Sequence, residues 1–189
     1  MDEDSRRQLL KQCLTDSTMA LDTRAAGALI LLFGLHASHV RHLTATQPTH
    51  REGNSYLTVY RHPFLLPPRL ARLLHQPAEA PHTRAALTRT TRTTRGEQWL
   101  FPGLVPGRPT SQTGLNSKLL AHGIVTRPAR NAALVALSGG LPVPVLASIL
   151  GLHPNTAVRW AGFTKTSWAD YLAARTADLH WERNATPQK

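Results

Sequence analysis

Acidic residues are missing from a long part of this sequence. Of the 11 Asp and Glu residues in the 189-residue chain, none falls between Gln98 and Ala169. The cationic residues of that stretch are Arg108, Lys118, Arg127, Arg130, Arg159 and Lys165. The whole chain has a formal net charge of +11 and a pI near 11.2. A basic excess of this kind predicts a polyanionic partner, either nucleic acid or a membrane surface.

Cysteine, metal-ligand spacings and long apolar runs are also scarce. Cys13 is the only cysteine, which excludes an internal disulfide or a cysteine-based zinc site and is typical of a reducing cytosol. The ten histidines show no paired metal spacing, so we expect neither a metal nor another cofactor. The N-terminus is acidic and polar and does not resemble a secretory signal.

A membrane partner is the less favoured of the two polyanions. The longest apolar run, Ala25 to Leu35, is too short to span a bilayer. The basic residues are spread over short helices and loops, and no basic amphipathic helix carries a large apolar face. We therefore expect no membrane partner, a cytoplasmic location close to the nucleoid, and binding to nucleic acid.

The chain predicts a mainly α fold with a small antiparallel β-sheet. Its length and its 41% hydrophobic content favour one domain over 22–176, preceded by an N-terminal arm or short helix over 1–21 and followed by a tail over 177–189. The first 18 residues have a weak apolar stripe and are expected to pack loosely or bind a partner. Residues 76–97 are rich in Pro, Thr and Arg, which indicates a mobile loop or a poorly formed helix that orders on DNA.

Apolar periodicity, caps and turn residues predict the individual elements. Helices are expected at about 23–33, 38–43, 69–74 and 111–122, with ends at Gly34 and Gly123. Strands are expected at 56–60 and 64–66, after a turn at residues 52–54.

The strongest helix signals lie between Arg127 and Trp160. A helix over residues 131–138 is expected to stop at Gly139 and Gly140, and a second helix should run from Pro144 to Leu150 and end at Gly151. A third helix should start at His153 and Pro154.

Two short helices around a glycine turn are typical of a helix-turn-helix unit. Ala147 is the small residue where the two helices would cross. The apolar residues that would lock the pair are Leu146, Leu150, Leu152, Ala157 and Trp160. Asn155, Thr156 and Arg159 would then face outward, as on a recognition helix in a major groove. The alternative is a solvated face on an ordinary helical hairpin.

The order of these segments resembles the catalytic domain of the tyrosine recombinases, the phage-integrase family, over about Asp22 to Ala174. The family's long buried helix and Gly-Leu-Arg-x-Ser-Glu box are similar to DTRAAGALILLFGLHASHVRHLT. The stretch before its His-x-x-Arg box is similar to WLFPG, the Gly/Pro turn and the helix that ends at HGI. The family's Leu-Gly-His segment, which runs into the nucleophilic tyrosine, is similar to ILGLHPNTAVRW.

This resemblance implies an active site whose residues are largely replaced. The family holds the scissile phosphate with two arginines, moves protons with a lysine and histidines, and attacks with a tyrosine. The equivalent positions here are His36 for the first arginine, His39 for the box glutamate, Arg127 and Arg130 for His-x-x-Arg, Leu152 for the Leu-Gly-His histidine with His153 one residue late, and Ala161 for the tyrosine. No lysine lies between Lys11 and Lys118, and the hairpin that would carry one is reduced to Arg61, His62 and Pro63. Tyr171 is the one nearby tyrosine that could substitute.

These replacements lead us to expect a catalytically inactive, recombinase-like protein that binds duplex DNA. A second copy of the chain or an active recombinase is the further partner to consider. The expected DNA-binding residues are Arg108, Lys118, Arg127, Arg130, His153, Asn155, Thr156, Arg159 and Lys165. One alternative is a helix-turn-helix regulator of transcription or plasmid maintenance. Another is a recombinase that is active through Tyr171 or a partner chain, and a purely structural or protein-interaction role is a further alternative.

Overall fold

The computed structural model describes residues 1–60, 62–75, 98–105 and 107–163. In these ranges the chain is mainly helical with a small antiparallel sheet, which confirms the fold class at this coarse level. The elements are α1 (Glu3–Thr15), α2 (Leu21–Phe33), α3 (Ala37–Val40), β1 (Pro48–Arg51), β2 (Asn54–Thr58), β3 (Pro63–Leu66), α4 (Pro68–His75), α5 (Gln112–Leu120), α6 (Thr126–Gly140), α7 (Val143–Leu150) and α8 (residues 154–163).

Helix α2 is the centre of the core. Leu29, Ile30 and Leu31 are fully buried, and α1, α4 and α6 all pack against this helix. A helix that is apolar nearly all round must be covered on every side. Gly34 ends it in the left-handed conformation with φ 63°, as the sequence predicts.

Helix α1 is not loosely packed, so that expectation is wrong. Cys13 is fully buried against α2, and burial raises the pKa of its thiol to about 11. Arg6 is also buried, and its Nη1 donates a 2.7 Å hydrogen bond to the carbonyl of Leu31 while Glu3 pairs with its guanidinium. The weak apolar stripe of α1 is enough for close packing because Gly27 of α2 has no side chain and lets the two helices approach closely.

The substitution Gly27→Ala tests this close approach. The added Cβ would lie 2.8 Å from Cys13 Sγ and 2.9 Å from Ile124 Cδ1, which is inside van der Waals contact. Overpacking of this kind should lower the free energy of unfolding by about 1–3 kcal/mol in urea titrations. Gly140→Ala is the matched control, because nothing lies within 4 Å of its Cβ position and alanine favours a helix. Equal stability of the two variants would show that α1 does not pack as described.

The sheet is a three-stranded meander in the order β1-β2-β3. Strands β2 and β3 fall where strands are predicted, and Glu52 and Gly53 form the predicted turn with φ values of 49° and 80°. Strand β1 is an addition that the sequence does not predict. Its residues PTHR are mostly polar and only Pro48 is buried, so they show no apolar alternation.

Helix α6 is longer than predicted at both ends. It begins at Thr126 and continues through Gly139 and Gly140, so the prediction that these glycines stop it is wrong. Neither has a positive φ, and the helix ends at Leu141, whose N–H donates to Leu137. Pro142 then prevents further helix because it has no N–H to donate.

The segment after α6 follows the predicted helix-turn-helix pattern in part. Gly151 ends α7 with φ 59°, and α8 starts at residue 154 as expected. Among the residues predicted to lock the pair, Leu146, Leu150 and Ala157 are buried. Leu152 and Trp160 are only half-buried at the edge of this packing, so removing the Trp160 side chain should cost less than removing a fully buried aromatic.

Some predictions fall on residues that the structure does not describe. These are the segment 76–97, the end of the predicted domain beyond residue 163, and the tail over 177–189. Within the described ranges, none of the helices is both long enough and apolar enough to cross a membrane.

Candidate functional site

The corner between α2 and α3 presents a row of histidines. His36 is the residue that precedes α3, and His39 and His42 follow it at three-residue spacing. The rings of His36 and His39 meet edge to face with their centroids 5.8 Å apart. The corner therefore carries imidazoles at the exposed end of a buried helix.

Gly34 allows α6 to approach this corner. A Cβ at Gly34 would lie 3.0 Å from the Leu134 side chain and 3.3 Å from the backbone oxygen of Arg130. With no Cβ there, the backbone of α6 lies against the corner, and Arg130 is close enough to influence the charge of His36 and His39. Gly34 thus permits both the left-handed turn at the end of α2 and the close approach of α6 with Arg130.

The guanidinium of Arg130 has no partner that would account for its position. It is half-buried, and its buried Nε makes no hydrogen bond. The ion pairs within the described residues join Arg6 and Arg7 to Glu3 and Lys118 to Asp22, and none includes Arg130. Buried polar groups are normally hydrogen-bonded, so the unsatisfied Nε makes Arg130 a candidate anion-binding residue.

Tyr60 links the histidine row to the turn between α7 and α8. Its hydroxyl lies 2.8 Å from Nδ1 of His39, and the two rings are perpendicular with centroids 5.1 Å apart. The other side of its ring packs on Gly151, in the turn between α7 and α8. The His–Tyr–Arg cluster, meaning His36, His39, Tyr60 and Arg130, is therefore built from α3, α6 and the residues after β2.

The electrostatics of the His–Tyr–Arg cluster favour neutral histidines beside one fixed cation. Both rings are open to solvent on one side, yet partial burial lowers the pKa of His36, and the charges of Arg130 and His39 lower it further. Burial, then His42 and Arg130, lower the pKa of His39. Burial raises the pKa of Tyr60, which keeps the phenol protonated. Burial also lowers the pKa of Arg130, but a guanidinium stays charged at any physiological pH.

This arrangement groups several hydrogen-bond donors. None of the ion pairs within the described residues joins one of these donors to a carboxylate. A guanidinium, imidazole N–H groups and a phenol O–H suit an oxyanion such as phosphate. Of the six positions that the resemblance assigns to the active site, His36, His39 and Arg130 come together here. Leu152 is half-buried and Ala161 is buried, and neither supplies a polar side-chain atom, while Arg127 is exposed in the first turn of α6.

The residues predicted to bind DNA have different surroundings. The ammonium of Lys118 is half-exposed and forms an ion pair with Asp22 of α2. Thr156 is half-buried, so it is only partly outward. The fully exposed members are Arg108, Arg127, His153, Asn155 and Arg159. Lys165 and the fallback nucleophile Tyr171 lie outside the described residues.

His153 has a local structural role. Its Nδ1 accepts a 3.3 Å hydrogen bond from the backbone N–H of Asn155, which caps the start of α8. Across the ranges that the structure covers, no set of three or more His, Cys, Asp or Glu side chains is placed to hold a metal ion.

The sequence points to His36 and Arg130 as members of the cluster, but it does not indicate a binding role for His39 or Tyr60. His36 and Arg130 were singled out by the resemblance, and His39 only as a replaced glutamate. Tyr60 was read as an ordinary strand residue. Its position at the start of the β2–β3 connection, where the resembling family carries its lysine, is the signal that could have found it.

Comparison with known proteins adds no relative to this picture. No protein-family model matches the chain, and neither a curated protein nor a solved structure matches it.

Proposed function

We propose that this protein is a DNA-binding relative of the tyrosine recombinases that holds the duplex backbone without cutting it. The observation that carries the proposal is the half-buried guanidinium of Arg130, whose buried Nε has no hydrogen-bond partner among the described residues, beside the donors of His36, His39 and Tyr60. A backbone phosphate supplies the single negative charge and the acceptor oxygens that this group of donors needs.

The surrounding charge supports a long polyanion over a small one. The stretch from Gln98 to Ala169 has no acidic residue, and Arg108, Arg127 and Arg159 are exposed in it. Several cations on one chain segment can neutralise successive phosphates of a duplex. A small phosphate compound would use the His–Tyr–Arg cluster alone.

The proposal excludes strand cleavage because the described residues of the site include no suitable nucleophile. The covalent route needs an activated hydroxyl in line with the phosphorus, and the position that the resemblance assigns to it is the buried Ala161. Tyr60 is a poor replacement, because burial raises its pKa and its hydroxyl is engaged by Nδ1 of His39. Losing several groups of such a site removes many orders of magnitude in rate.

A second candidate function is a helix-turn-helix regulator. It is favoured by Asn155 and Arg159, which are both exposed on the helix that follows the Gly151 turn. These side chains can read base edges in a major groove. If Arg159 reads guanine, Arg159→Ala should reduce the preference for one site by about 1–3 kcal/mol while affecting random duplexes less.

Salt-dependent binding and a cleavage assay together test the proposed function. Arg108, Arg127, Arg130 and Arg159 remain as described cations of the acid-free stretch once Lys118 is paired, so log K against log salt should have a slope of about −3 to −4. Supercoiled plasmid and nicked suicide duplexes should remain uncut and free of bound protein after denaturation.

Two results would overturn this proposal. Undetectable or salt-insensitive binding would remove DNA as the partner. A covalent adduct that disappears in Tyr171→Phe or in Tyr60→Phe would show that the protein is an active recombinase. The separate variants identify which tyrosine carries the reaction.

A further inference from the structure

We infer that the His–Tyr–Arg cluster takes up protons on His36 and His39 when it binds a DNA phosphate, so that the affinity for duplex DNA rises as the pH falls. This inference rests on the proposed function and describes how the same site is regulated. Its first support is geometric, because the two rings stand 5.8 Å apart at the site where Arg130 lacks a counterion.

The groups that face the two histidines are nearly all donors or cations. The residues after α3 contribute His42, whose Nδ1 donates to the carbonyl of Ser38. Helix α6 contributes Arg130, and the residues after β2 contribute the Tyr60 phenol. Gly34 of the α2–α3 corner and Gly151 of the α7–α8 turn carry no titratable side chain. Among the described residues, no carboxylate forms an ion pair with this set.

A bound phosphate reverses the electrostatic balance at these rings. In the free protein, partial burial and the charge of Arg130 lower the pKa of both His36 and His39, so both are mainly neutral near pH 7. A phosphate oxygen between Arg130 and the rings attracts the imidazolium form and raises both pKa values in the complex. Between the free and the bound pKa, the complex holds more protons than the separate molecules, so the association constant increases as the pH falls through that window.

The hydrogen bond between Tyr60 and His39 adds a second effect of protonation. When His39 is neutral, the Tyr60 hydroxyl can donate to its Nδ1 across 2.8 Å. A protonated imidazole carries a hydrogen on both nitrogens, so Nδ1 must then donate to the phenol oxygen. The phenol hydrogen is released by this reversal and becomes available to a phosphate oxygen. Protonation of His39 therefore adds one donor, the phenol O–H, and one positive charge for the anion.

Binding measured against pH tests the inference. We would titrate a labelled random-sequence duplex by fluorescence anisotropy at constant ionic strength, from about pH 8.5 to about pH 5.5, the range in which histidines titrate. The parent should gain up to about tenfold in affinity per pH unit for each proton taken up. The double variant His36→Asn, His39→Asn should lose most of the pH dependence.

Two single variants locate the effect. His153→Asn is the matched control, since His153 is an exposed histidine at the start of α8, and it should keep the full pH dependence. Tyr60→Phe should lose more affinity at the acidic end than at the alkaline end, because only protonation of His39 frees the phenol hydrogen. If His153→Asn loses the pH dependence and the double histidine variant keeps it, the protons are taken up at the α8 surface and the inference is wrong.

Failure of the inference is distinguishable from failure of the proposed function. If the parent does not bind, or if binding ignores Arg130, the proposed function itself fails. If binding requires Arg130 but the double histidine variant keeps the parental pH slope, only the inference fails. Proton NMR titration of the imidazole Hε1 signals gives an independent reading, because the pKa of both histidines should be higher with duplex than without. Circular dichroism melting confirms that each variant is folded.

Discussion

Arg130→Met should weaken binding to all duplexes by about 10- to 100-fold and flatten the salt slope by roughly one, because it removes one charge-assisted phosphate contact. The loss should be similar for specific and random sequences, since a backbone contact carries no base information. Methionine keeps the apolar stem packed, so the comparison isolates the guanidinium. Anisotropy titrations at several salt concentrations would measure both quantities.

The same variant should be as stable as the parent or more stable. The guanidinium is half-buried and its Nε has no partner, so the folded protein gains nothing that offsets its desolvation. Replacing such a group with an apolar side chain removes that cost. Lower affinity together with an unchanged or higher melting temperature would show that Arg130 is kept for binding and not for folding.

Arg7→Met is the control for loss of one positive charge. Arg7 is exposed on α1 and pairs with Glu3, which still holds Arg6 when Arg7 is removed. Its affinity for DNA should stay close to that of the parent. If both arginine variants lose affinity equally, binding reflects net charge only and the site has no special role.

The helix ends that the sequence predicts well are those decided by local backbone chemistry. Gly34, Gly123 and Gly151 all adopt a positive φ and all follow a helix. Gly139 and Gly140 were misread because a glycine permits a left-handed end without requiring one. The deciding signal was Pro142, two residues later, which cannot continue the hydrogen-bond ladder.

Only those residues of the candidate site that match a motif position of the resembling family could be predicted from the sequence. The resemblance brought attention to His36 and Arg130, which lie far apart in the chain. Tyr60 was missed because its role depends on packing between the β2–β3 connection and the Gly151 turn, and such long-range contacts leave no periodic pattern. Lys118 was counted as a free cation because its partner Asp22 lies 96 positions away along the chain.

Gly151→Ala should strongly destabilise the protein. Gly151 has φ 59°, a left-handed conformation that costs an alanine about 1–2 kcal/mol. The added Cβ would also lie 2.6 Å from Cδ1 of Tyr60, so the ring or the turn must move. Strain and overpacking together should lower the free energy of unfolding by about 2–4 kcal/mol.

Gly53→Ala separates the two contributions. Gly53 also has a positive φ, 80°, but nothing lies within 4 Å of its Cβ position, so this variant should show the conformational cost alone. The difference between the two variants in urea unfolding is the cost of displacing Tyr60. Because Tyr60 holds Nδ1 of His39, Gly151→Ala should also weaken DNA binding at the acidic end of the pH range, whereas Gly53→Ala should not. Equal losses of stability, or parental binding by Gly151→Ala at acidic pH, would show that the α7–α8 turn does not hold the cluster together.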